Sequence, residues 1–442
     1  MPERFGEESY TRAYLGQSSI RYNFKEYSFG ISSENLWWGP GRRNSLLLGN
    51  NAPGFVHFTA NTRKPVNTKI GSFEGQVIGG FLKSSAALAG AAALGGLATR
   101  AHAADLTIGF IYVGPRDDYG YNQAHAEGAA AVKAMDGVTV VEEENVPESV
   151  EVQKSMESMI NFDGASLLFP TSFGYFDPHI LEMAQKYPDL RFEHCGGMWS
   201  ADKHPMNVGS YFGYIGLGQY LNGIAAGHAT RSKRIGFVAA KPIPQVLQNV
   251  NSFLLGARAV DPEITCQVIF TGEWSLAVKE AEAVNALTDQ GADVITCHVD
   301  GPKVVIETAA GRGAFVCGYH ADQSALAPEK YLTGAEWNWA KVYTDMVATV
   351  QAGGTIDNFV RGGLAEGFIK MSPLGPAVSD QARAQFEATK AEILKGGFSV
   401  FKGPMKSNDG ETIVGAGAAL VETDVELESM GYLVEGVIGS TS

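Results

Sequence analysis

From Leu106 onward, short apolar runs of strand length alternate with longer segments of helical period, and the whole series occurs twice. The first series opens on Ile108-Gly-Phe110 and the second on Ile235-Gly-Phe237. Such alternation admits few folds. Parallel strands need a crossover, the crossover is the helix, and the sheet ends up covered on both faces. The first series predicts strands over 106–113, 139–143, 165–170 and from 191 to 194, with helices over 122–135, 150–161 and 178–187 and a long small-residue helix over 213–231. The second predicts strands over 234–239, 265–270, 293–298 and 314–318, with helices over 245–260, 276–290 and 302–311. A strand over 331–339, a helix over 341–352, a strand near 363–369 and a solvent-facing helix over 380–395 follow. The expected fold is α/β: two doubly wound, Rossmann-like lobes with a ligand cleft between them, contacted by the strand ends.

A second feature divides the chain. Phe81-Leu-Lys is followed by a soft Ala/Gly-rich run and then Ala101-His102-Ala103, the A-x-A ending of an export signal. The run is too short and too weakly apolar to span a membrane. It resembles the tail of a twin-arginine signal, but Gly79 and Gly80 stand where the arginines belong. Charge changes sign at the same place. Residues 1–103 hold 11 Lys+Arg and 6 Asp+Glu, whereas the remaining 339 hold 23 and 42. The acidic part has no basic run, which argues against nucleic acid or an anionic membrane as its partner. The expected organisation is a poorly ordered β-rich fragment (1–80), an internal export signal (81–103), a first lobe (104–230), a second lobe (231–335), and crossover and C-terminal elements completing both (336–442).

Residues 21–80 alternate polar and apolar side chains with frequent aromatics, a pattern of antiparallel strands. The block Asn35-Leu-Trp-Trp-Gly-Pro-Gly-Arg-Arg-Asn44, with the Leu-rich stretch up to Phe55, resembles outer-membrane capsule-assembly proteins of the Wzi type, which form a large β-barrel with a lectin role. About 50 residues could supply only a few strands, and a barrel must close to remove its edges.

The acidic part carries no G-x-S-x-G, no G-x-x-x-x-G-K-[ST] and no H-E-x-x-H. Its four cysteines form no C-x-x-C pair and its histidines no ligand spacing, so neither metal nor cofactor is expected. Three of the cysteines lie in apolar strand-like runs and read as buried thiols.

Several blocks then point one way: Tyr119-Gly-Tyr-Asn-Gln-Ala-His-Ala-Glu-Gly128, Pro170-Thr-Ser-Phe-Gly-Tyr-Phe-Asp-Pro178, Gly236-Phe-Val-Ala-Ala-Lys-Pro-Ile-Pro244, Asp289-Gln-Gly-Ala-Asp-Val-Ile295 and Trp337-Asn-Trp339. In order and spacing they resemble the BMP (PnrA-like) group of ABC-transporter substrate-binding proteins. The resemblance implies a type I periplasmic-binding-protein fold, a periplasmic location, a purine nucleobase or nucleoside as ligand and ABC permease subunits as partners. It places Tyr121 and Trp274 at the two stacking positions, with Asn122, Ser172, Phe173 and Asp300 as polar or flanking contacts. His320 stands where better-known nucleoside binders carry Asp, with Asp322 two residues on. Near Trp337 the ribose-holding Lys of those binders is absent. A flatter, more apolar pocket follows, and with it a bare base, adenine before the others.

The residue types suit that ligand. A purine has two flat faces for aromatic stacking and a rim of alternating donors and acceptors for carboxylates and amides. Two other functions remain open from sequence: a nucleoside-processing enzyme on the same fold, which needs an aligned base and nucleophile, and a capsule or lectin role for the first eighty residues. Lobe closure is expected to hinge near 231–234 and around Gly334.

Overall fold

The computed structural model describes residues 106–441 and, before them, six short strands between Ser19 and Gly80. The chain divides into two compact units, Met1–Thr99 and Arg100–Ser442. In the first, strands Ser19–Phe24, Tyr27–Ser32, His57–Thr62 and Gln76–Gly80 pair antiparallel in that order, and Val66–Thr68 pairs with Gly71–Phe73. The alternation does produce antiparallel strands. Its polarity is inverted, however: Tyr22, Phe29, Ile31 and Phe58 are exposed while Ser28 and Gly30 are buried. The Trp-Trp block before Phe55 and the signal at 81–103 lie outside the described residues.

The second unit holds two sheets. The first contains β1 (Leu106–Ile111), β2 (Val138–Glu143), β3 (Leu167–Pro170), β4 (Arg191–Cys195) and β5 (Val208–Gly213). The second contains β6 (Arg234–Ala239), β7 (Thr265–Phe270), β8 (Val294–His298), β9 (Phe315–His320) and β10 (Tyr331–Trp337). The chain then returns to add β11 (Phe359–Gly362) to the first sheet and β12 (Ile369–Met371) and β13 (Val437–Ile438) to the second. The spatial orders are β11-β5-β4-β3-β1-β2 and β12-β10-β9-β8-β6-β7-β13. All pairings are parallel except β12 on β10. Apolar strands such as β3 and β8 are buried along their whole length, as sheets covered on both faces require.

Helices α1 (Tyr121–Lys133), α2 (Val150–Asn161) and α3 (Leu181–Lys186) cover the first sheet's crossovers. Ser149 caps α2, its Oγ accepting from the Glu151 N–H at 3.3 Å. Helix α4 (Gly216–Ala229), read from sequence as part of the first lobe, packs instead on α5 (Pro244–Arg258) of the second. Its small residues explain why. A Cβ on Gly223 would meet the Phe253 carbonyl at 2.1 Å, and one on Gly256 would meet the Tyr220 carbonyl at 2.0 Å, so the two backbones touch. Helices α6 (Ala277–Asp289) and α7 (Lys303–Gly311) follow in the second lobe, whereas α8 (Trp339–Gln351) lies against α1 in the first. Helix α9 (Asp380–Ile393), expected to face solvent, buries Ala382, Phe386 and Ile393.

Among the described residues the lobes are therefore joined at Gly213–Gly216, Trp337–Trp339 and between β11 and β12. The hinge expected at 231–234 is displaced to the start of α4, and the boundary at 230 moves with it. The one expected near Gly334 falls a few residues later, at the end of β10. All four cysteines are free and buried, and burial raises each thiol's pKa.

Candidate ligand cleft

The carboxyl ends of both sheets face one cavity that encloses about 560 Å³ of empty space, its solvent mouth included. From the first lobe come Tyr121 at the start of α1, Glu148 after β2, Ser172 and Phe173 after β3, Cys195 and Gly196 at the end of β4, and Phe212 in β5. From the second come Ile243 and Gln245 after β6, Trp274 after β7, His298 and Asp300 at β8, His320 at β9 and Trp337 at β10. Every lining residue thus stands at or just beyond a strand's carboxyl end.

Seven of the residues expected from sequence meet here: Tyr121, Ser172, Phe173, Trp274, Asp300, His320 and Trp337. Two do not. Asn122 is buried behind the cavity, where its Nδ2 donates to Asp118 Oδ2 at 2.8 Å and its Oδ1 accepts from the Gly114 N–H at 3.2 Å. That side chain ties down the loop before α1. Asp322 is exposed and accepts from the Ser324 N–H at 2.8 Å, a turn contact. Glu148, Cys195, Gly196, Phe212, Ile243, Gln245 and His298 also line it and were not expected there, although Ile243 falls within the Gly236–Pro244 block. A strand-end search of every strand would have found them.

The first-lobe wall is held by specific bonds. The Tyr121 hydroxyl donates to the Thr171 carbonyl at 2.6 Å, and its ring meets those of His125 and His320 edge-on at 4.6 and 5.6 Å. Ser172 does not cap the turn after β3; its hydroxyl donates to Glu148 Oε1 at 2.5 Å, which also accepts from the Gly174 N–H at 2.9 Å. Phe173 stands at the mouth, 69% exposed, its ring 6.4 Å from that of His194.

The second-lobe wall is aromatic and neutral. The Lys241 ammonium lies 5.7 Å from the Trp274 ring, whose other neighbour is the His298 imidazole at 6.1 Å. Desolvation lowers the His298 pKa to about 3, and its Nδ1 accepts from Asn249 Nδ2 at 2.9 Å. Desolvation, helped by Asp118, Glu148 and Glu280, raises the Asp300 carboxyl to about 8, with Lys241 opposing. Burial thus favours the protonated form of that carboxyl, which can donate as well as accept. Trp337 is stacked on Trp339 at 4.9 Å and packs against Phe212.

The lobes touch beside the cavity. The Tyr121 N–H donates to the Asp300 carbonyl at 2.9 Å, and Gln323 Nε2 donates to the Tyr119 carbonyl at 2.6 Å. A Cβ on Gly120 would fall 1.9 Å from the Asp300 carbonyl oxygen, so only glycine permits this approach. Among the described residues, no cluster of three or more His, Cys, Asp or Glu could hold a metal. No described helix is long and apolar enough to cross a membrane.

Residues 106–402 match the family model described as ABC transporter substrate-binding protein, PnrA-like. The chain is 35% identical over 340 residues to a purine-binding protein of Brucella abortus, covering 76% of this chain and 94% of that one. It is 31% identical over 330 residues to a Haloferax volcanii protein named for ABC-transporter glucose binding, covering 75% and 80%. A solved ABC-transporter solute-binding protein from Conexibacter woesei superposes with a TM-score of 0.57 at 24% identity, over 66% of this chain and 97% of that one, a likeness of fold.

Proposed function

The chain belongs to the PnrA-like (Bmp) family of ABC-transporter substrate-binding proteins, and we propose that within it this protein captures a purine, a free base of the adenine type before a nucleoside, and hands it to a membrane permease. The observation that carries this reading is the cavity wall itself. Tyr121, Phe173 and Phe212 from one lobe face Trp274, His298, His320 and Trp337 from the other, around the buried Asp300 carboxyl, whose pKa burial raises. Flat aromatic faces on both sides suit a flat heterocycle, and each stacked base gains about 1–3 kcal/mol.

The edge chemistry favours adenine. A neutral carboxyl offers a donor beside an acceptor, the complement of an exocyclic amine next to a ring nitrogen. Guanine presents two adjacent donors, which a carboxylate would suit better. A ribose would want a cation among its hydroxyls. Lys370, on the strand β12 that pairs with the Trp337 strand, is bound to Glu336 at 3.1 Å, and the Lys241 ammonium lies over the Trp274 ring at 5.7 Å.

Capture proceeds by closure. The lobes rotate about the three connections, the Gly120–Asp300 and Tyr119–Gln323 contacts form, and water leaves the rings. The closed pair of lobes then presents the surface a permease reads. Export would be directed by the signal at 81–103, into the periplasm. Members of this family are solute-binding proteins, and solute binding is the role assigned to this cavity. Titration calorimetry of the full chain against adenine, adenosine and glucose tests the reading. Adenine should bind and glucose should not. Adenosine as tight as adenine would sink the free-base preference, and glucose binding without adenine would replace the purine reading with a sugar.

A further inference from the structure

His320 differs from every other ring in the cavity. It is buried, it lines the pocket, and its Nε2 has no hydrogen-bond partner in the protein. Its other nitrogen is fixed. The Trp337 indole Nε1–H donates to His320 Nδ1 at 2.7 Å. An indole nitrogen can only donate, so Nδ1 must be the bare, accepting nitrogen, and a neutral ring then carries its proton on Nε2. The ring is neutral: desolvation holds its pKa well below the usual value, His298 and His125 push the same way, and the Val299 carbonyl opposes without making a hydrogen bond to Nε2. The indole cannot turn away, being stacked on Trp339 at 4.9 Å.

The backbone adds an independent sign. His320 ends β9 with φ of +75°, in the left-handed region that a side chain other than glycine seldom occupies. Strain of this kind persists where surrounding structure imposes it, and it gathers at ligand clamps. The contrast with His298 on the adjacent strand is informative. There Nδ1 accepts from Asn249 and Nε2 faces the Tyr319 hydroxyl at 3.3 Å, so both nitrogens are occupied. His320 is left with one N–H that the protein does not use, and an unused buried donor is costly unless something fills it.

We propose that His320 is a tautomer-locked donor, set by Trp337, that reads one ring nitrogen of the bound heterocycle. This rests on the purine reading above and deepens it. Asp300 takes the amine and its neighbouring nitrogen, while His320 requires an acceptor at a second position on the ring. A heterocycle lacking that acceptor leaves the N–H stranded, so the histidine acts by rejection as much as by attraction.

Two measurements on the full chain test this. Nitrogen NMR of isotope-labelled protein reports the tautomer directly. His320 should show a bare Nδ1 and a protonated Nε2 near neutral pH, and Trp337→Phe should release the ring into a mixture of both forms. A protonated Nδ1, or an imidazolium, in the wild-type chain overturns the lock. The second measurement is calorimetry with adenine and its 1-deaza, 3-deaza and 7-deaza analogues, each lacking one ring nitrogen. One analogue besides any that disturbs the Asp300 edge should lose about tenfold or more in affinity. That loss should vanish in His320→Gly, which keeps the backbone angle at no cost. If the wild-type chain and His320→Gly rank the analogues identically, the readout is overturned while purine binding stands. If adenine does not bind at all, the purine reading falls and takes the ring-nitrogen contact with it, whatever the tautomer.

Discussion

Gly120 gives the sharpest test of closure, because its role exists only when the lobes meet. It belongs to the first lobe, and the oxygen it faces, the Asp300 carbonyl, belongs to the second. In Gly120→Ala the new methyl would lie 1.9 Å from that oxygen and the Pro302 Cδ would lie 2.4 Å away. Real Cβ atoms come no closer than about 3.0 Å, so the lobes must stay apart by roughly another ångström. That displacement breaks the 2.9 Å bond from the Tyr121 N–H to the Asp300 carbonyl. The net value of the bond and the carbonyl left unpaired together come to about 2 kcal/mol, roughly a thirtyfold loss of affinity. Gly120 also has φ −145° and ψ −126°, outside the regions open to a residue with a side chain, so the melting temperature should fall as well; the ligand-dependent readouts isolate closure. Calorimetry with adenine measures the affinity, and small-angle scattering with and without ligand measures the closure. An alanine variant that binds and contracts like the wild-type chain would refute the argument that this contact belongs to the closed state.

Trp274→Ala should cost about 1–3 kcal/mol of binding and reduce the ligand-dependent change in tryptophan fluorescence to the part reported by Trp337 while leaving far-ultraviolet dichroism intact; unchanged affinity would remove Trp274 from the site. Gln323→Glu would set an oxygen against the Tyr119 carbonyl in place of the amide that now donates at 2.6 Å, so stopped-flow should show faster ligand release, and an unaltered release rate would contradict a latch there. Asp300 titrates near pH 8 in the folded chain and near 4 when unfolded. Across that window the folded state keeps a proton that the unfolded state has lost, so this group's contribution to stability falls as pH rises. Thermal melts of Asp300→Asn should show a flatter decline of Tm between pH 5 and 8, and parallel curves for the two proteins would count against the assignment.

Most of the α/β architecture was legible because the sheets are buried on both faces, which makes strands continuous apolar runs and helices amphipathic. The exceptions share a cause. Val208–Gly213 was not expected as a strand, since its two glycines and serine lower strand propensity, yet it lies between β4 and β11 with its hydrogen bonds used on both sides. Helix α4 was assigned to the wrong lobe because periodicity shows that a face is apolar but not what covers it. The glycine contact with α5 is a tertiary fact. At the site, stacking aromatics and Asp300 could be placed by resemblance, and the cavity gathers them. Asn122 and Asp322 have the right polarity and the right neighbourhood in sequence, but local partners, Asp118 and Ser324, already satisfy them. Glu148 was invisible because its part in the wall comes from Ser172, 24 residues away.

The four buried thiols, three of them away from the ligand cavity and Cys195 in its wall, make this chain a ready instrument. With Cys195, Cys266, Cys297 and Cys317 all buried and their thiolates suppressed, a maleimide dye finds little native sulfur to attack near neutral pH. A cysteine introduced on the exposed face of each lobe could then carry a donor and an acceptor dye without first stripping the natural ones. Opening and closing could be followed as a distance, one molecule at a time, in a protein whose chemistry has not been altered to make it visible.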